Sequence, residues 1–387
     1  MSLRSGLSPP GLLFAVLGLG AMALPFATLS ANRIVAGQGL ALWQVAGPWA
    51  TAAALAAMAL ALGFGLRGGW PWARLLGSLL GLGALLGLLG HAAPRLLAEA
   101  GEFARVSPAA GAWCLLLVFM MLMADALSVL RPGPWLRLEL LAGALALLAA
   151  LFASGLLADL SVFQEYRARI EGFQRAAARH VALALGSLLA AGLIGFPLGI
   201  LCQRRASLRA VAIPVLSFLQ TIPSLAMFGI MIPLLSWVAA SVPGARELGI
   251  AGIGFAPAFL ALLLYSLLPV VANTVAGLDA APRAAVEAAR GMGMTPAQRL
   301  RSVELPLALP VILAGLRIVL VQNIGLAVIA GLIGGGGFGT FVFQGLNQTA
   351  TDLILLGALP TVALALVAAI LMDIMVDLTR HSPGEAR

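Results

Sequence analysis

Ten apolar runs dictate what this chain can fold into. They lie near residues 11–29, 43–66, 75–93, 109–130, 138–158, 180–202, 210–238, 250–277, 308–333 and 353–378, and short polar segments separate them. About twenty apolar residues are what a helix needs to cross the hydrocarbon core of a bilayer. Inside that core the backbone must satisfy its own hydrogen bonds, so each run predicts a helix. The expected fold is therefore all-α, a polytopic membrane bundle of about ten spans. Hydrophobic residues make up 61% of the 387, charged residues 10%, and mean hydropathy is +1.04. A water-soluble globule has no use for so little polar surface.

The net charge of +8 is not a nucleic-acid signature. All 23 basic residues are arginine, and most stand at the ends of the apolar runs. With a cytoplasmic N-terminus, fourteen fall inside: Arg4, Arg67, Arg74, Arg131, Arg137, Arg204, Arg205, Arg209, Arg283, Arg290, Arg299, Arg301, Arg380 and Arg387. Eight fall outside: Arg33, Arg95, Arg105, Arg167, Arg169, Arg175, Arg179 and Arg246. The bias predicts cytoplasmic N- and C-termini. The first run is too long for a signal-peptide core and ends in no A-x-A site, so a retained span is expected. Cys114 and Cys202 lie within apolar runs, where a small packing residue is expected rather than a disulfide or metal pair. Trp43, Trp49, Trp70, Trp72 and Trp135 stand at run ends, as an interfacial aromatic belt would.

The texture of the chain changes midway. Residues 1–158 hold five spans rich in Leu, Ala and Gly, a module to which the sequence assigns no role. Residues 159–179 are charged, with Val162, Phe163, Ile170 and Phe173 spaced like an amphipathic surface helix. Residues 180–387 carry Pro, Asn, Gln and Thr inside the apolar runs, which suits a moving or solute-lining bundle.

One polar segment interrupts the second half. Glu287-Ala288-Ala289-Arg290-Gly291-Met292-Gly293 is followed nine residues later by Val303-Glu304-Leu305-Pro306. Helix formers, a glycine break, more helix and a Leu-Pro stop read as an elbow. Glu287, Ala288, Ala289, Gly293, Val303, Leu305 and Pro306, within a loop at 279–306, resemble the cytoplasmic coupling loop of ABC-importer membrane subunits. Gln220-Thr221-Ile222-Pro223-Ser224, Leu264-Tyr265-Ser266-Leu267-Leu268-Pro269 and Val321-Gln322-Asn323-Ile324-Gly325 narrow the likeness. They resemble the permeases of the glycine betaine/choline/carnitine, or osmoprotectant, type. The likeness covers the C-terminal half, and the five N-terminal spans look like those of a longer variant.

That resemblance implies a type I importer core working by alternating access, with no catalytic residues, cofactor or metal of its own. It implies a separate cytoplasmic ATP-binding subunit, an extracytoplasmic solute-binding protein and a second permease copy or sister permease, with membrane lipid around the permeases. Ala288 and Ala289 would keep the loop helix slim enough for a groove, Glu287 would offer a charge for pairing, and Gly293 would permit the bend. The chain has no lysine, so it cannot contain the phosphate-binding loop G-x-x-x-x-G-K-[ST]. Gly334, Gly336 and Gly339 satisfy G-x-G-x-x-G, but they follow an apolar helix with no βαβ unit and read as a turn.

Candidates for the translocation path are Gln220, Thr221, Pro223, Ser224, Tyr265, Asn273, Gln322 and Asn323; interhelical hydrogen bonding is the alternative for the same residues. Gln220 and Ser224, four apart, are expected on one helix face, with Pro223 kinking the span between them. Arg317 is expected to snorkel and Asp125 to be solvated near the interface. Two other readings remain open: an importer of a different small solute, such as an amino acid, and an ion-coupled secondary carrier. The second would be expected to hold buried charges near the midplane.

Overall fold

The computed structural model describes residues 6–33 and 35–379. Arg4, Arg380 and Arg387, used in the charge count, lie outside the described residues. Nine described helices are long and apolar enough to cross a bilayer. The chain divides into two compact units, Met1–Ala168 and Arg169–Arg387.

The first unit contains α1 (Pro9–Met22), α2 (Pro48–Gly65), α3 (Pro71–Ala98), α4 (Ala110–Leu130), α5 (Pro134–Ala153) and the short α6 (Ser161–Ala168). α1 stops early. The expected span 11–29 is a 14-residue helix followed by a strand, because Pro25 cannot continue a helix and biases Leu24 toward extended backbone. The strands β1 (Ala27–Ser30), β2 (Gln38–Leu40) and β3 (Arg105–Pro108) form an antiparallel sheet in the order β2-β1-β3, with Thr28 opposite Gly39 and Ser107. The sheet is an addition to the expected all-helical bundle and gathers the end of α1 with the starts of α2 and α4. Met58, Phe119, Leu115 and Leu85 fill the core beneath it.

Buried charge marks both ends of this unit. Near the sheet, Glu165 of α6 is 3% exposed and is paired with Arg33 at 3.5 Å and Arg105 at 3.7 Å. At the opposite end Arg74, 3% exposed, pairs with Asp125 and approaches Ser8 Oγ at 3.4 Å. Asp125 is therefore not a solvated interfacial acid. Leaving the buried Arg74 unpaired would cost far more than the pairing itself contributes.

The second unit is built on α7 (Ile170–Arg204), α10 (Phe255–Asp279), α13 (Leu305–Leu326) and α15 (Thr351–Thr379). α7 begins ten residues before the expected span, so 170–179 are its first turns and only 161–168 form a separate amphipathic helix. The expected span 210–238 is two helices, α8 (Ala206–Thr221) and α9 (Ser224–Ser241). They part at Ile222, whose φ of −67° and ψ of 125° are the extended values a residue before proline favours. α13 ends at Leu326, a 3₁₀ turn covers Ile329–Ile333, and α14 (Gly339–Asn347) leads into α15. Val271, Val319, Ile324, Leu183, Leu262 and Phe228 lie in the interior.

Candidate functional site: a coupling loop and an inter-helix clasp

The polar segment folds as a helical elbow. α11 (Arg283–Gly291) presents Glu287 and Ala288 outward and buries Ala289, which is 1% exposed. Gly293 then closes it. Met294 N–H donates to the Ala289 carbonyl at 3.1 Å and Gly293 N–H to that of Arg290 at 3.0 Å. This paired capping needs a left-handed residue, and Gly293 sits at φ +79°. Nothing lies within 4 Å of where its Cβ would be, so the constraint is backbone conformation alone. Among the described residues Glu287 has no ion-pair partner, so its carboxylate is available to another molecule.

α12 (Pro296–Arg299) opens with a capping box: Thr295 Oγ1 accepts from Gln298 N–H at 3.3 Å, and Gln298 Oε1 accepts from Thr295 N–H at 2.8 Å. The Leu-Pro stop does not occur. Leu305 and Pro306 are the first residues of α13, and the chain from Pro296 to Leu326 is one continuous helix through a π-helical turn at Leu300–Glu304. A widened turn makes room for a proline ring with no N–H to give. Val303 is half-buried in that turn, and the buried Glu304 pairs across it with Arg299. Arg204 Nη2 donates to the Pro296 carbonyl at 3.3 Å, and Arg209 pairs with Asp279 at 2.9 Å. The elbow is thereby tied to the ends of α7, α8 and α10.

The path candidates divide into several groups. Gln220 and Ser224 do not share a helix face, because α8 ends between them and Pro223 is the residue before α9. Instead Gln220 Nε2 donates to the Tyr265 carbonyl at 2.7 Å, and Tyr265 Oη donates to the Ile222 carbonyl at 2.5 Å. Both acceptors are products of proline chemistry. Tyr265 would normally receive the N–H of residue 269, which is proline, and Ile222 lies in the break before Pro223.

Asn323 is fully buried. Its Nδ2 donates to Ser187 Oγ at 2.9 Å and Ser266 Oγ at 2.8 Å, joining α13 to α7 and α10. These bonds are the interhelical kind that the sequence offered as the alternative for this residue. Asn273 donates to the Pro269 carbonyl at 2.7 Å on its own helix. Thr221 is exposed and donates to Phe218 O, while Ser224 and Gln322 are half-buried with no hydrogen-bond partner among the described residues. Of the eight candidates, Thr221, Ser224 and Gln322 have side chains that bond no other helix, and the amide oxygens of half-buried Gln220 and Asn273 accept no hydrogen bond among the described residues.

Three residues that the sequence reading passed over hold the same unit together. His180, fully buried, contacts the Ile324 carbonyl through Nε2 at 3.0 Å and receives Phe338 N–H at Nδ1 at 3.3 Å. Those partners assign the neutral Nε2–H tautomer. Its sequence signal was a histidine at the start of an apolar run. Ser187 carried no signal, since serine is common in apolar helices, and Ser266 stood in the Leu264–Pro269 motif without being singled out for a role. Arg317 is also corrected: it pairs with Asp373 of α15 instead of snorkelling alone.

A polytopic bundle with a helical elbow running unbroken into a span defines the permease class of membrane subunit. The comparisons with known proteins agree. Residues 195–381 match the family described as "Binding-protein-dependent transport system inner membrane component", and residues 8–163 match "ABC transporter permease YehY, N-terminal domain". The osmoprotectant import permease protein OsmW of Salmonella typhimurium is 44% identical over 187 residues, 48% of this chain and 80% of the relative. The choline transport system permease protein OpuBB of Bacillus subtilis is 38% identical over 188 residues, 49% of this chain and 79% of that one. The inward-facing methionine transporter MetNI superposes with a TM-score of 0.49 at 22% identity, over 55% of this chain and 98% of that one. The chain belongs to the binding-protein-dependent ABC-importer permeases, multi-pass inner-membrane components of transport systems.

Proposed function

We propose that this chain is the membrane subunit of an ATP-driven importer for osmoprotectants: glycine betaine, choline, carnitine or a related quaternary ammonium solute. The names of its relatives support that cargo. It catalyses no reaction itself. A cytoplasmic ATPase supplies the energy, an extracytoplasmic binding protein delivers the solute, and a second permease copy or sister permease completes the path. ATP takes the place of any cofactor and is used by the partner.

The observation that carries the coupling role is the unbroken helix from Pro296 to Leu326. An ATPase gripping α11 through Glu287 and Ala288 would move α12, and α12 has no joint at which to lose that motion before α13. The motion would then be passed to a bundle whose α8–α9 break and Pro269 sit at one hydrogen-bonded clasp, giving alternating access driven from outside the membrane. The N- and C-termini are on the ATPase side in this reading.

The test is reconstitution with the ATPase and the binding protein in liposomes, measuring ATP-dependent uptake of labelled betaine. Ala288→Trp should block loop docking while leaving the fold intact, because Ala288 is exposed; Gly293→Asp should weaken coupling by straining the cap. Loss of uptake in both supports the reading. Uptake by the chain alone without ATP would sink it, and coupled ATPase activity without betaine uptake would retain the machine and reject the cargo.

A further inference from the structure

Both ends of one glycine-rich segment meet at a single buried side chain. His180 Nε2 donates to the Ile324 carbonyl at 3.0 Å, and Phe338 N–H donates to His180 Nδ1 at 3.3 Å. Ile324 is the third-last residue of α13 and Phe338 stands immediately before α14. The imidazole therefore closes the neck of the loop 325–337. Tightening of the helix end frees the first acceptor. Ala327 N–H still reaches the Asn323 carbonyl at 2.8 Å, but Val328 N–H turns to that of Gly325 at 3.2 Å. No described backbone N–H is left for the Ile324 carbonyl, and His180 takes it.

The loop has little stiffness of its own. Six of its thirteen residues are glycine, and Gly334, Gly336 and Gly337 have positive φ. A Cβ on Gly337 would lie 3.0 Å from His180 Nδ1, so the backbone lies against the imidazole where a side chain would intrude. Gly254 N–H, at the start of α10, donates to the Ile333 carbonyl at 2.8 Å. The loop thus joins the ends of α10 and α13 that lie farthest from the elbow.

The two bonds at the neck are unequal. Beside Ile324, Asn323 Nδ2 donates to Ser187 Oγ at 2.9 Å, two turns along α7 from His180, so α13 and α7 are fastened twice. Phe338 is held by a bond just beyond the usual N–H···O range and by ring contacts, 4.9 Å to His180 and 5.3 Å to Phe173. Next to it the Gly331 and Gly339 backbones touch, with no hydrogen bond between them among the described residues. The Phe338 side is the one that yields first. Ile324, on the other side, is near the far end of the unbroken helix that begins at Pro296 in the elbow. A displacement entering at the elbow arrives at this neck.

We infer that His180 is a positioning residue of the transport cycle: it latches the 325–337 loop at the end of α13 away from the ATPase, and its bond to Phe338 is the one exchanged when α13 moves. The inference rests on the importer role proposed above and adds to it a latch on the solute's side.

The experiment uses the full chain reconstituted with its ATPase and binding protein, and reads solute taken up per ATP hydrolysed. That ratio does not depend on how much of the protein is folded. Labelled betaine, choline and carnitine are offered, and whichever the parent carries is used. Asparagine places its amide oxygen near the position of Nδ1, and glutamine places its amide nitrogen near that of Nε2. His180→Gln keeps the Ile324 bond and loses the acceptor for Phe338; its ratio should fall about fivefold, the factor that one net hydrogen bond supplies. His180→Asn keeps the Phe338 acceptor and should stay near the parent. A purely structural histidine predicts another pattern, in which both variants lower the thermal transition and neither changes the ratio. An unchanged ratio in His180→Gln, or an equal loss in His180→Asn, overturns the latch while leaving the importer intact. A parent that carries none of the three solutes overturns the importer reading and the latch with it. If His180→Gln shows no thermal transition, Gly337→Ala decides with the histidine in place, since its methyl crowds Nδ1 from the loop side. Loss of the ratio there supports the latch, and retention overturns it.

Discussion

Gln220 and Tyr265 clasp one another across two interrupted helices: the glutamine amide fills the carbonyl of Tyr265 that Pro269 leaves free, and the tyrosine hydroxyl fills that of Ile222 beside Pro223. The two hydrogen bonds make a single device. Pro269 removes the donor that the Tyr265 carbonyl would have had, the α8–α9 break leaves the Ile222 carbonyl open, and a side chain from the opposite helix supplies a donor to each. Backbone that could bend is thus held in one arrangement by bonds that can be exchanged.

Breaking either half strands a carbonyl in an apolar setting. Gln220→Leu and Tyr265→Phe are each expected to cost about 1 kcal/mol, the usual worth of an interhelical bond in a membrane bundle. The double variant should cost less than the sum, because the two bonds support one geometry. Thermal unfolding of the four proteins of the cycle measures this, and strict additivity would show the bonds to be independent.

Asn323 should behave as glue. Asn323→Leu loses both hydroxyl partners and is expected to lower stability by about 1–2 kcal/mol. The order in which betaine, choline and carnitine compete for uptake should stay unchanged. A variant as stable as the parent but with altered cargo preference would return Asn323 to the path.

For Arg317 and Asp373, charge reversal separates pairing from position. Their side chains are 40% and 39% exposed, so the pair should contribute about 1 kcal/mol or less. Arg317→Asp and Asp373→Arg should each reduce the yield of folded protein, and the double exchange should recover most of it. Absence of recovery would show that each charge acts through other neighbours.

The glycine-rich turn yields a paired prediction. A Cβ at Gly339 would lie 1.8 Å from the Val328 carbonyl oxygen, whereas one at Gly325 meets nothing within 4 Å. Gly339→Ala is expected to destabilise by about 3 kcal/mol or more, since backbone rather than a side-chain tip must give way. Gly325→Ala should be neutral or slightly stabilising. Comparing their melting temperatures checks both.

Much of this was legible before any coordinates. The polar elbow with its glycine joint was readable because helix formers, Gly293 and an outward Glu287 obey local rules of capping and exposure. The path residues were less readable. Gln220, Tyr265 and Asn323 were singled out because they are polar within apolar runs, but polarity does not say whether a group faces a solute or a neighbouring helix. The three-stranded sheet was not foreseen, since four-residue strands such as Ala27–Ser30 sit within or beside the apolar stretches without an alternating pattern of their own.

By itself, then, the sequence determined that the chain lives in a membrane and roughly where most of its apolar helices run, and it singled out the polar elbow at 279–306. Those follow from hydrophobic length and local backbone preference, which act over a few turns of chain. Tertiary structure alone decided that Leu305-Pro306 carries a helix onward instead of ending it, that Asp125 and Arg317 are paired, and that Asn323 is buried. The pairings and the burial depend on partners 51 to 136 residues away, from Arg74 for Asp125 to Ser187 for Asn323. Only packing can reveal which distant group answers a proline's missing donor or a charge held out of water.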